Sequence, residues 1–142
     1  MRIVFDMDNT LADEFGAEIR PGIMGLLQAL TRDGHYLILW TNSAGDRAKA
    51  ILREHGFTPL FKEFLYREDY DPENKGLPKD IARVQGDFII DDDPWEVEYN
   101  RKRGKKGFVI TAFRKGGRTD PEELQRLYAA INKKGFLGGL FG

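Results

Sequence analysis

Apolar and polar residues alternate along this chain with two rhythms. Short apolar runs at Arg2–Asp6, Tyr36–Trp40 and Phe88–Ile90 end in acids or turn residues. They are too short for helices and read as buried strands. Between them lie amphipathic stretches. Ile23, Leu26, Leu27 and Leu30 recur at helical spacing behind Pro21-Gly22, and Asp33-Gly34 closes that helix. Asp46 is placed as the N-cap of a second helix, which runs to about His55 with Gly56 as its C-cap. Pro94 suits the first turn of a helix reaching about Arg103. Asp120-Pro121-Glu122-Glu123 opens a last helix with Leu124, Leu127, Tyr128 and Ile131 on one face. Pro78–Val84 reads as a short helix, and Phe64–Tyr66 and Phe108–Thr111 as further strands. The polar stretches Met7–Arg20 and Arg67–Gly76 read as loops. Strand alternating with helix implies an α/β fold: a three-layer, Rossmann-like domain around a mostly parallel sheet. The expected organisation is one domain over residues 1–134 and a Gly/Phe/Leu-rich tail over 135–142.

Composition narrows the class. The 142 residues are 41% hydrophobic and 12% aromatic, which suits one globular domain. The chain has no cysteine, so disulfides and thiolate metal sites are excluded. No apolar run approaches a membrane span, and the N-terminus reaches Asp6 too soon for a signal peptide, so the expected location is cytoplasmic. The formal charge is −1. Its distribution is uneven: residues 68–98 are rich in acids, while eight Lys or Arg and no acid lie between Arg101 and Arg118. That basic stretch reads either as a solvated helix end and loop or as a docking surface for a phosphorylated or nucleic-acid partner. Aromatic residues are sparse within it, with only Phe108 and Phe113.

The candidate chemistry gathers where strands end, which is where open parallel sheets bind ligands. Asp6 and Asp8 follow the first strand, Thr41 and Asn42 the second, and Asp91, Asp92 and Asp93 a later one. One carboxylate of an Asp-x-Asp pair can attack phosphorus, and the other can serve as acid and base. Several carboxylates converging on one point repel each other, and a divalent cation removes that cost. Magnesium fits an all-oxygen set. Acids before Pro94 also suit a helix N-terminus, so different acids can serve different ends. The Thr41 hydroxyl and the turn behind it can grip phosphate oxygens, and Lys75 and Lys79 are candidate cations for the same group. His35 and His55 have no ligand partner at useful spacing, Trp40 reads as core, and Trp95 can line the site entrance.

Together these residues resemble the haloacid dehalogenase-like (HAD) superfamily of phosphohydrolases, over roughly residues 1–111. Asp6, Asp8 and Thr10 match its Asp-x-Asp-x-Thr motif; Thr41 matches its second motif; Asp91 and Asp92, with Pro94, match its acidic pair. Lys75 is the choice for its lysine motif, with Lys79 in reserve. The resemblance implies Asp6 as nucleophile and magnesium ligand, and Asp8 as acid-base with its backbone carbonyl on the metal. It implies Thr41 and Lys75 as phosphoryl-binding residues, beside Asn42 of the same turn. Asp91 and Asp92 would complete the Mg2+ site. An acid at Asp8 points to phosphatase or phosphotransferase chemistry. The gaps between motifs are too short for a substantial cap. An open site suits a phosphate on a protein or a nucleic-acid end, or a homo-oligomer whose neighbour serves as lid. The rival readings are a phosphate- or partner-binding module with little catalysis, a structural or interaction protein, and a phosphotransferase.

Overall fold

The computed structural model of the chain describes residues 1–132. The 135–142 tail lies outside the described residues. Five parallel strands form one sheet in the order β3-β2-β1-β4-β5: β1 Arg2–Phe5, β2 Tyr36–Trp40, β3 Glu63–Leu65, β4 Phe88–Asp91 and β5 Lys106–Val109. The register aligns the three runs read from the sequence, with Val4 beside Ile38 on one side and Ile89 on the other. From β1 the chain winds outward through β2 to β3, then returns and winds the other way through β4 to β5. The reversal opens a crevice beyond the carboxyl ends of β1 and β4, where the side-layer helices part.

Alternation along the strands splits the core into two layers. Ile3, Phe5, Leu37, Leu39, Phe88 and Ile90 face α1 (Ile23–Arg32), α2 (Gly45–Glu54) and α5 (Glu123–Ile131). Val4, Ile38, Trp40 and Ile89 face α3 (Arg67–Tyr70), the 3₁₀ turn Ile81–Val84 and α4 (Pro94–Arg101). The four apolar residues that marked α1 are the four it buries: Ile23, Leu26, Leu27 and Leu30. Each side chain of this size removed from water contributes about 1.5–3 kcal/mol.

The structure departs from the sequence reading at several boundaries. Asp46 is not the N-cap of α2. Ala44 holds that position, and the first helical N–H, that of Gly45, is satisfied by both Glu68 carboxylate oxygens at 2.9 and 3.1 Å. A Cβ at Gly45 would lie 2.6 Å from Glu68 Oε2 and would displace that carboxylate from the helix N-terminus. A helix forms at Arg67–Tyr70, where a loop was expected, because the Asp69 side chain accepts the Tyr66 N–H at 2.8 Å. Residues 81–84 close as a 3₁₀ turn rather than the longer helix from Pro78. Strand β5 starts two residues earlier than expected, and its Gly107 packs under α4, with Val97 Cγ1 2.7 Å from where a Cβ would sit. The basic stretch is not one surface. Lys105 and Lys106 lie with Met1 and Asp87 at the amino end of the sheet, whereas Arg114 and Lys115 lie past its carboxyl end.

Candidate active site

Asp6 follows β1 directly, and its N–H continues the ladder to Ile90 at 3.0 Å, so its Cα is fixed by the sheet. The chain then turns sharply. Asn9 takes a left-handed conformation (φ 65°), which asparagine tolerates better than most residues. Its side chain donates to the Phe113 carbonyl at 3.0 Å. Thr10 is fully buried and its hydroxyl donates to Asp6 Oδ2 at 3.0 Å. Beneath this loop lies a buried arginine that the sequence reading passed over. The Arg20 guanidinium donates to the Thr10 carbonyl at 2.7 Å, the Asn9 carbonyl at 2.9 Å and the Thr111 carbonyl, and lies 3.5 Å from Glu123. Three loop carbonyls and one carboxylate thus share one fork of donors.

Asp6, Asp8, Asn9, Thr41, Asn42, Asp91 and Asp92 all line a single cleft of about 520 Å³ at the carboxyl end of the sheet. Lys75 does not. Its ammonium pairs with Glu73 at 2.8 Å, with the side chain 64% exposed. The lysine in the cleft is Lys79, 5% exposed, with Nζ 2.8 Å from Asp6 Oδ1 and 2.7 Å from Asp91 Oδ2. The physical reason lies in the backbone. Asp71 accepts the N–H groups of Lys75, Gly76 and Leu77, which ties residue 75 into a surface turn. Four residues on, α4 grips the chain: Glu96 accepts the Lys79 N–H at 3.1 Å, and Asn100 bonds the Lys79 carbonyl at 2.8 Å and the Ile81 N–H at 3.0 Å. The available signal was that Lys79 adjoins the apolar Ile81–Val84 segment, while Lys75 sits in a polar run.

The acids divide their duties. Asp93 caps α4 by accepting the Trp95 N–H at 2.9 Å, while Asp91 and Asp92 belong to the cleft. Asp91 Oδ1 accepts the Asp93 N–H at 3.0 Å, which leaves its other oxygen to Lys79. Burial pushes the Asp6 carboxyl up to about 7 against the pull of Lys79, and the neighbouring Asp92 adds to the rise. Burial and then the Asp6 charge push Asp91 up to about 6, and burial takes Glu96 to about 7. Burial alone would lower Lys79, but Asp6 and Asp91 hold it well above its ordinary value, so it stays charged. Among the described residues, Asp6, Asp91 and Asp92 each offer a carboxylate oxygen within 4.8 Å of the others. One hard divalent cation closes that spread with small side-chain shifts, and the all-oxygen donor set suits magnesium. Lys79 is a single positive charge against this cluster, so the acids fit such an ion.

Asp8 is half-buried, and burial raises its pKa against the pull of Arg47. The Arg47 guanidinium lies 2.9 and 3.1 Å from the two Asp8 oxygens, and bonds Ser43 Oγ at 2.9 Å and the Glu14 carbonyl at 3.0 Å. Arg47 was missed by the sequence reading. Its signal is a cation in the first turn of a helix, where the dipole disfavours it unless an anion is near. The Thr41 hydroxyl is buried and accepts the Ser43 N–H at 3.0 Å, shaping the turn that presents Asn42 to the cleft. Trp95 lies at the entrance, 53% exposed, as the sequence suggested.

Comparison with known proteins places this fold. The family described as "Protein of unknown function (DUF705)" matches residues 2–73, half of the chain. No curated protein matches. Among solved structures, the chain is similar to D,D-heptose 1,7-bisphosphate phosphatase from B. bronchiseptica, a structure complexed with magnesium and phosphate. The TM-score is 0.65 at 12% identity, over 92% of this chain and 97% of that one. It is also similar to a hydrolase from Streptococcus pneumoniae TIGR4, with TM-score 0.62, 12% identity and coverage of 79% and 93%. A HAD-superfamily hydrolase from Ehrlichia chaffeensis matches with TM-score 0.58, 10% identity and coverage of 78% and 91%. The likeness establishes the fold as that of HAD-superfamily hydrolases, as the motifs led one to expect.

Proposed function

We propose that this chain, which belongs to the DUF705 family and has the HAD-like fold, is a magnesium-dependent phosphatase that hydrolyses a phosphate monoester through an aspartyl phosphate on Asp6. One observation carries the reading: Lys79 Nζ stands 2.8 Å from Asp6 and 2.7 Å from Asp91, inside a cleft that also holds Asp8, Thr41 and Asp92. A nucleophile, a permanent cation, an acid-base candidate and a metal-suited acidic set thus share one opening, on the fold of a family of hydrolases.

Asp6, Asp91 and Asp92 would hold magnesium, with the Asp8 backbone carbonyl as a further ligand. The bound ion supplies charge neutralisation at the phosphoryl oxygens. Lys79 and the Thr41 turn, with Asn42, bind the same oxygens and orient the phosphorus toward Asp6. A carboxylate oxygen of Asp6 bonds to phosphorus as the bond to the leaving oxygen breaks. The leaving oxygen keeps the electron pair and takes a proton from Asp8. Water then attacks phosphorus, Asp8 takes its proton, and the bond to Asp6 breaks to release phosphate and restore the carboxylate. Asp8 thereby serves twice, a contribution worth roughly 10²–10⁴-fold.

Phosphate release from a panel of aryl, sugar, nucleotide, peptide and oligonucleotide phosphates, with magnesium and with chelator, tests the reading. Release that needs magnesium and is abolished in Asp6→Asn is expected. Equal release by Asp6→Asn, or none from any ester, would overturn it.

A further inference from the structure

We infer that the substrate is the phosphorylated end of a single-stranded nucleic acid, held at the mouth of the cleft between Trp95 and Arg47. The inference rests on the phosphatase reading above and names its substrate class. The two residues come from helices on opposite faces of the sheet, α4 for Trp95 and α2 for Arg47, so they flank Asp6 and Asp8 from either side. The cleft, at about 520 Å³, falls in the range of pockets that take a whole small molecule. A phosphoryl group alone leaves most of it empty.

The walls differ in chemistry. On one, the Trp95 ring is half exposed, lines the cleft with Leu77, itself 46% exposed, and lies tilted against Tyr99 with centroids 6.0 Å apart. A flat aromatic surface at the rim offers a stacking face for a base. On the other stands the Arg47 guanidinium, paired with Asp8, and beyond it lie two further cations, one of them beside the Glu14 carboxylate, and an open aromatic ring. Glu14, whose carbonyl accepts from Arg47, also accepts the Lys115 N–H at 2.9 Å and lies 3.8 Å from Arg114. The Lys115 ammonium lies 6.0 Å over the Phe15 ring, which is 69% exposed. Arg114, partly offset by Glu14, the Lys115 ammonium and the open Phe15 ring therefore continue from Arg47 away from the reacting phosphate. A strand of nucleotides repeats an anion and a flat ring at each step and matches such a strip. A phosphopeptide brings one scissile phosphate and no obligatory second anion or ring, so it leaves the Lys115 ammonium and the Phe15 face unmatched.

Binding and turnover together test this. Trp40 is fully buried, so tryptophan quenching reports on Trp95. In Asp6→Asn with magnesium, a short phosphorylated oligonucleotide should quench the emission. It should bind at least tenfold more tightly than the matching nucleoside monophosphate, with an affinity that falls as salt rises. Trp95→Leu should remove the quench and weaken binding about tenfold, in line with loss of one stacked base. The double change Arg114→Glu with Lys115→Glu should weaken it similarly and flatten the salt dependence. In the wild type, kcat/KM for the phosphorylated oligonucleotide should exceed that for a phosphopeptide by at least tenfold. If an aryl phosphate is hydrolysed with magnesium but the phosphopeptide is preferred, or the mononucleotide does as well as the oligonucleotide, this inference falls and the phosphatase reading stands. Insensitivity of oligonucleotide binding to both sets of changes also overturns it. If no ester is hydrolysed, the phosphatase reading falls and takes this one with it.

Discussion

Lysine 79 shows how much a single side chain decides here. It faces two carboxylates that burial would otherwise keep from ionising, and its 2.8 and 2.7 Å contacts hold the proposed nucleophile in place. Removing a preorganised charge of this kind typically costs 10²–10³-fold in turnover. Lys79→Met is therefore expected to lower kcat by about that factor, while Lys75→Ala changes it less than about twofold. Steady-state kinetics on one aryl phosphate separates the two, and the reverse pattern would return the role to Lys75. The sequence offered both lysines at plausible spacing. The local Asp71 turn sends one outward, and the α4 clamp, made by Glu96 and Asn100 from 17 and 21 residues further on, turns the other in.

At the scale of elements, the loop after β1 depends on Arg20. Its guanidinium binds three carbonyls and is the counterion of Glu123, which itself accepts the Thr111 N–H at 3.0 Å and hydroxyl at 2.8 Å. Arg20 thus joins the Asp-x-Asp loop, the end of β5 and the start of α5. Arg20→Met leaves a buried carboxylate without its partner, a loss of about 3–5 kcal/mol. Chemical denaturation should show a lower midpoint with an unchanged slope. A loss under about 1 kcal/mol would mean that the loop holds itself. Sequence patterning could not flag this residue. An arginine in a polar stretch reads as surface, and its burial follows from three segments packing over it.

For the whole molecule, the acidic cluster links stability to pH and to metal. Asp6, Asp91 and Glu96 have folded pKa values of about 7, 6 and 7, above their ordinary values. The folded state therefore holds protons that the unfolded chain has already released, and stability falls as pH rises from the ordinary carboxylate range through 6–7. Asp13 and Asp71, each held by backbone N–H groups, are shifted the other way, so their contribution is lost only in more acidic solution. With chelator present, the melting temperature should be higher at pH 5 than at pH 8. Magnesium should raise it more at pH 8, because the ion takes deprotonated ligands. Equal melting temperatures with chelator across that range would contradict the linkage. What the sequence determined by itself was set by local rules. The apolar runs placed β1, β2 and β4, helical spacing placed α1 and α5, and strand-end acids marked Asp6, Asp8, Asp91 and Asp92 as one candidate site. The tertiary structure alone decided which lysine enters the site, that Arg47 faces Asp8, and that Arg20 lies buried under the loop. It also divided the basic stretch between opposite ends of β5. Those outcomes depend on contacts between residues far apart along the chain. Periodicity reports which face of an element is buried, but not what distant group meets it there.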